Sequence, residues 1–170
     1  MTMSAMNAPN VGEANEGFAH VTRTLASLGH PHAPIWLEDS ARTSAEAAAA
    51  LGVAVGQIAK SVIFRRVDDD RAVLVVASGD QRVDEKKVAA LVGTIMRADA
   101  DFVKAKTGYS IGGVSPVGHS TPPVVLVDRE LLRFDVVWAA AGHPRGVFQL
   151  AASQLEALTG AAPSDVAQAR

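Results

Sequence analysis

The sequence predicts a single α/β domain of the α+β type, with a mixed, mostly antiparallel, barrel-like sheet flanked by helices. Three observations carry this expectation. Helical and β-rich stretches are interspersed along the chain. The turn Asp68-Asp69-Asp70-Arg71 joins two β-rich runs too closely for a parallel crossover, and the links after residue 128 are also short. A length of 170 residues, at roughly 150 per domain, favours one domain.

The elements follow in order. Phe18, Val21, Leu25 and Leu28 recur at spacings of three and four, so Glu13 to Leu28 is an amphipathic helix with Gly29 as its stop. Beyond the Pro31–Pro34 break, Ile35 to Glu38 suits a short strand. Thr43-Ser44-Ala45-Glu46 has capping-box form and opens a helix that runs to Leu51 and ends at Gly52. Gln57 to Val67 and Ala72 to Ser78 form a hairpin. Asp84 starts a helix through Leu91, and Asp99 or Asp101 starts a shorter one ending near Lys106. Thr107 to Pro123 shows neither helical nor alternating pattern, yet holds four Gly and three Pro in seventeen residues. A structureless stretch of that length in a compact domain is more often functional than idle. Val124–Asp128, Val136–Ala140 and Val147–Leu150 read as strands, and Ala152–Leu158 as a closing helix before Gly160. Residues 1–12 and 163–170 are expected to be tails around a domain spanning 13–162.

Composition excludes several chemistries. With no cysteine, there is no disulfide framework, thiolate metal site or cysteine nucleophile. Sixteen Lys and Arg against eighteen Asp and Glu give a net charge of −2, which argues against a protein that coats nucleic acid by bulk electrostatics. Residues 1–12 carry no Lys, Arg or apolar run, and no stretch approaches ~20 consecutive apolar residues. The expected location is the cytoplasm, with no membrane partner.

Three places hold candidate chemistry. Alternation puts Ile58, Lys60, Val62 and Phe64 on one strand face that is otherwise apolar. Lys60 is either an edge-strand lysine whose charge reaches water along an apolar stem, or a lysine at a pocket rim that meets a phosphate or carboxylate. The loop from Thr107 to His119 is rich in glycine, which lets backbone N–H groups approach a ligand and cradle an oxyanion. It is neither a dinucleotide fingerprint nor a P-loop. Gly113 to Gly118 has one residue too many for a nucleophile elbow, and Pro116 removes the N–H that such an elbow recruits, so Ser115 is a poor nucleophile. His143, between Gly142 and Pro144 at a strand end, and His119 are placed to meet a ligand. His20, His30 and His32 lack metal-ligand spacing. Asp80 reads as a turn former and Asp84 as a helix cap.

Gln57-Ile58-Ala59-Lys60-Ser61-Val62, Ser78-Gly79-Asp80, Thr107-Gly108-Tyr109, Gly112 to His119, Val137 to Gly142 and Leu158-Thr159-Gly160 occur in this order over about residues 20–162. As an ordered set they resemble the YbaK/EbsC family, which includes the editing domain inserted in bacterial prolyl-tRNA synthetases and its free-standing relatives. The resemblance implies a trans-editing aminoacyl-tRNA deacylase that hydrolyses the ester of a mischarged tRNA, carrying a small amino acid and with tRNA-Pro as a candidate. It implies a positioned water as nucleophile, with no cofactor, metal or covalent intermediate.

By the same resemblance, Lys60 is the indispensable side chain, and Gly112 to Pro116 lies against the aminoacyl carbonyl. Gly112 and Gly113 are then expected as catalytic backbone, and Ser115, Pro116, Gly118, His119 and His143 as substrate-binding residues, His143 by reading the amino-acid side chain. The expected partner is the tRNA acceptor end rather than DNA, gripped weakly by Arg65-Arg66, Lys86-Lys87, Lys104 and Lys106, with a synthetase or elongation factor as a candidate source of specificity. The alternative of a different class is a non-catalytic module that binds an aminoacyl-tRNA end or a protein partner.

Overall fold

A computed structural model of the chain describes residues 15–169. The expected tail at 1–12 lies outside the described residues. The elements in chain order are α1 (Glu16–Ser27), β1 (Ile35–Trp36), α2 (Ser44–Leu51), β2 (Ile58–Arg66), β3 (Ala72–Ser78), α3 (Glu85–Val92), β4 (Ile95–Arg97), α4 (Ala100–Thr107), β5 (Val124–Asp128), β6 (Val136–Ala140), β7 (Gly146–Ala151), α5 (Leu155–Thr159) and β8 (Pro163–Ser164). The expected elements are all found, most within a few residues of their expected bounds; the short strand at 35–38 is trimmed to two residues and the closing helix begins with a 3-10 turn. Among the described residues, no helix is long and apolar enough to cross a membrane.

The strands form one mixed sheet in the order β1-β7-β6-β2-β3-β5-β8, with β4 also paired to β2. Four of its seven pairings are antiparallel. β3 is central because every one of its residues is apolar or small and buried. Its alternate side chains serve two cores. Leu74 and Val76 join Val21, Leu25, Phe148, Leu150 and Leu155 on one face, whereas Val73, Val75 and Ala77 join Phe64, Val88 and Val166 on the other.

The caps behave as the sequence dictates. Thr43 Oγ1 accepts from the Glu46 N–H, and the Glu46 carboxylate accepts from the Thr43 N–H. Asp84 accepts from Lys86 and Lys87 at the start of α3, and Asp99 from Phe102 at the start of α4. The β2–β3 hairpin turns at Asp70, which takes a positive φ of 63°.

Two expectations are corrected. Residues 163–169 are not a tail: β8 pairs in parallel with β5, Ala167 bridges Val83, and Val166 is fully buried against Val73, Val75 and Val88. One fully buried valine secures this segment over the second core. The three-residue strand β4 was also not expected, and it decides where the site lies. β3 occupies one edge of β2 along residues 59–65. On the opposite edge, β6 pairs only with Ile58 and Ala59 and β4 only with Phe64 to Arg66. The sheet therefore splits beside Lys60, Ser61, Val62 and Ile63, leaving that stretch without a strand neighbour on one side.

Candidate functional site

The gap in the sheet is a cleft of about 640 Å³. Its floor is β2 from Ile58 to Ile63, and β6 contributes Trp138, Ala139 and Ala140. Val103 of α4 and Val147 of β7 add to an apolar wall, while Ile111, Gly112 and Val114 bring in the glycine loop and Thr43, Ser44, Ala45 and Ala47 bring in the start of α2. Lys60, Gly112 and His143, distant in sequence, thus line one cavity.

Lys60 stands at the polar rim. Its Nζ donates to the Gln81 carbonyl at 2.8 Å. Burial, and then the nearby Arg82 guanidinium, lower its pKa from the ordinary lysine value, while Asp128 and Asp80 act in the opposite direction. The segment carrying Gln81 is held by a polar network. Asp80 is ion-paired to Arg133 at 2.8 Å, and Arg133 also donates to Ser78 Oγ at 2.8 Å. Ser78 Oγ donates to the Gly56 carbonyl at 2.6 Å, and buried Asp128 accepts from the Ser78 N–H. Asp80 is therefore an anchor rather than a simple turn former. At position 56, a Cβ would meet Asp80 Oδ2 at 2.8 Å, so glycine there lets the network close.

The glycine loop passes between the cleft and a second cavity of about 750 Å³ on its far side. Three side chains donate to its carbonyls from that far side or from within the loop. Tyr109 Oη donates to Val117 O at 2.7 Å, His20 Nε2 to Gly118 O at 2.8 Å, and His119 Nε2 to Ser115 O at 2.6 Å. Because a carbonyl only accepts, both histidines carry their proton on Nε2. Burial lowers the His119 pKa and raises that of Tyr109, keeping both neutral.

The loop residues separate into different positions. Gly112 and Val114 line the cleft, and among the described residues neither N–H has a hydrogen-bond acceptor. Gly113 departs from the expectation of a free donor, because its N–H donates to Ser110 O at 3.0 Å and it lines the far cavity. Its lack of a side chain serves packing, since a Cβ would lie 2.7 Å from His143 N and 2.8 Å from His143 Cα. Ser115 and Pro116 are buried and line neither cavity, and Ser115 Oγ accepts from the Val117 N–H at 3.3 Å. Gly118 and His119 line the far cavity. The structure thus places Lys60, Gly112 and His143 on the cleft, Gly113, Gly118 and His119 on the second cavity, which His143 also lines, and Ser115 and Pro116 on neither.

His143 lines both cavities. Its Nδ1 accepts from the Arg145 N–H at 3.0 Å, so the proton resides on Nε2, and its ring stacks on Trp36 at 4.6 Å between centroids. Burial, then Arg145 and Arg42, lower its pKa, leaving a neutral ring with one free donor.

Sequence reasoning missed Ser61. Its Oγ is buried on the cleft and has no hydrogen-bond partner among the described residues. The signal was present: Ser61 is the polar residue between Ala59 and Ile63 on the second face of β2. The expected basic patches are largely neutralised. Arg65 pairs with Asp70, Arg66 with Asp69 and Lys87 with Asp165, while Lys104 Nζ donates to Gly108 O and Lys106 sits over the Phe102 ring.

Comparison with known proteins shows which family the chain belongs to. The sequence profile of the aminoacyl-tRNA editing domain matches residues 38–158. The uncharacterized protein YwhH of Bacillus subtilis is 37% identical over 119 residues, covering 69% of this chain and 75% of its own. The proline–tRNA ligase of Thermoanaerobacter sp. is 30% identical over 94 residues, which are 53% of this chain and only 16% of the ligase. A crystal structure described as a candidate trans-editing enzyme for prolyl-tRNA synthetase superposes with a TM-score of 0.85 at 39% identity, covering 91% of this chain and 98% of that one. The chain is YbaK-like and belongs to the aminoacyl-tRNA editing domain family.

Proposed function

We propose that this protein is a trans-editing deacylase that hydrolyses the ester between a small amino acid and the 3′-terminal ribose of a tRNA, with tRNA-Pro as the first candidate. The observation that carries this reading is that Lys60 lines one apolar cleft together with Gly112 and Val114, whose N–H groups have no acceptor among the described residues, in a chain of the editing family.

Water adds to the aminoacyl carbonyl, the tetrahedral oxyanion collapses, the ester C–O bond breaks and the ribose oxygen leaves with a proton. The Gly112 and Val114 N–H groups are the donors for the oxyanion, an effect worth about 3–4 kcal/mol per donor in hydrolases. Lys60 holds the ribose or its phosphate so that the carbonyl stays within reach of the water. The apolar wall around Val103, Val114 and Trp138 suits a small side chain, and His143 selects at its edge. Buried Ser115, whose Oγ already accepts a backbone N–H, supports a route through water rather than an acyl-enzyme.

The test is amino-acid release from a panel of tRNAs charged with Ala, Cys, Ser, Thr and 2-aminobutyrate. Turnover of at least one, unaffected by phosphonate probes, is expected. Binding of charged tRNA with no release from any member would establish the non-catalytic module instead.

A further inference from the structure

Lys60 separates the cleft from a third, open groove of about 720 Å³, with which the cleft shares Lys60, Val62, Ile63, Gly79 and Ala98. Lys60, Arg82 and Arg97 contribute cations to this groove, against the carboxylates of Asp80 and Glu85. These charges do not cancel, because Asp80 is already bound by Arg133. Arg82 and Arg97 are exposed, and neither guanidinium makes an ion pair or hydrogen bond with a described residue. This contrasts with Arg65, Arg66 and Lys87, whose charges are taken up by aspartates. In a chain of net charge −2, a run of unpaired cations beside the site is a local feature rather than a consequence of composition.

We propose that this groove seats the unpaired 3′ end of the RNA, with Arg82 and Arg97 meeting the internucleotide phosphates that precede the nucleotide held at Lys60. This rests on the reading that the cleft takes the aminoacyl ester. A substrate esterified in the cleft must lead its chain out past the rim, and across Lys60 the rim opens into the groove. Guanidinium groups suit the task because their forked donors match two phosphate oxygens. Among the described residues that line the groove, Phe64 is the one aromatic and its ring is buried in the core, so these residues give bases no exposed aromatic stacking platform and the grip is indifferent to base identity.

The experiment measures binding of a labelled RNA hairpin with an unpaired 3′ NCCA end, and of the same hairpin made blunt, across a salt series. The proteins are the full chain and its Arg82→Ala/Arg97→Ala variant, with thermal melting to confirm folding. For single-stranded contacts the slope of log K against log salt is about −0.7 per neutralised phosphate, so losing two contacts should flatten the slope by about 1.4 for the overhang hairpin only. An unchanged slope, equal losses on the overhang and blunt hairpins, or no preference of the unaltered protein for the overhang would each overturn the proposal. Amino-acid release is scored separately: a flattened slope in a protein that releases nothing would keep the groove and refute the deacylase reading.

Discussion

Gly113→Ala isolates what the loop's packing contributes. Its φ lies outside the left-handed region, so the substitution tests steric approach alone. The added Cβ would sit 2.7, 2.8 and 3.0 Å from the backbone N, Cα and C of His143, where ordinary contacts are about 3.5–4.0 Å. A backbone cannot rotate aside, so the loop has to retreat by roughly 1 Å, taking the neighbouring Gly112 and Val114 N–H groups with it. A misplacement of that size costs on the order of 10²-fold in rate, and the strain costs about 1–3 kcal/mol of stability. At this chain length that lowers Tm by about 2–4 °C per kcal/mol. Single-turnover deacylation with saturating enzyme separates rate from binding, and differential scanning fluorimetry reads Tm. Unaltered rate and unaltered Tm together would refute the claim that the loop is seated on the His143 backbone.

Other consequences follow from the same structure. Val166→Ala should destabilise the protein by about 2 kcal/mol, from two lost methyl groups and the cavity left behind, and urea unfolding checks it; a neutral result would mean that the 163–169 segment is not part of the fold. Because burial holds His119 neutral with its pKa below the ordinary histidine value, the unfolded chain takes up a proton that the native protein refuses. Stability should therefore be full above the unfolded histidine value and fall as pH drops through the folded one. His119→Gln should flatten that decline, with a remainder from His143, whose pKa is lowered in the same direction. If the ammonium form of Lys60 holds the substrate, kcat/KM corrected for spontaneous ester hydrolysis should fall on an alkaline limb below the ordinary lysine range, since burial and Arg82 lower its pKa. A rise through that range would instead indicate the free amine as a base.

The parts legible in the sequence were those whose cause is local. Caps at Thr43, Asp84 and Asp99 bond within three residues, and the anomaly of Lys60 on an apolar strand face follows from alternation. What stayed hidden depends on distant partners. β4 is three residues long and lies between two helices, too short for alternation to register. Pro163-Ser164 has no strand signature, and its docking is secured by Val166 meeting residues far back in the chain. In the site, Gly112 and Gly113 look alike in sequence, yet only the approach of His143 and the bond to Ser110 show that the Gly113 N–H is used, while that of Gly112 has no acceptor among the described residues. The basic surface was hidden for the same reason: Lys87 pairs with Asp165, which lies 78 positions away, whereas Arg82 and Arg97 form no ion pair among the described residues.

The proposed hydrolytic function depends on Lys60, set in the gap of the sheet. Its most direct test is the single-turnover release of amino acid from the best substrate of the panel by the unaltered protein, Lys60→Ala and Lys60→Arg. Loss of release is expected in Lys60→Ala with folding retained, and only partial recovery in Lys60→Arg, whose planar fork cannot reproduce a compact ammonium on the Gln81 carbonyl. Release by Lys60→Ala at the unaltered rate would contradict it.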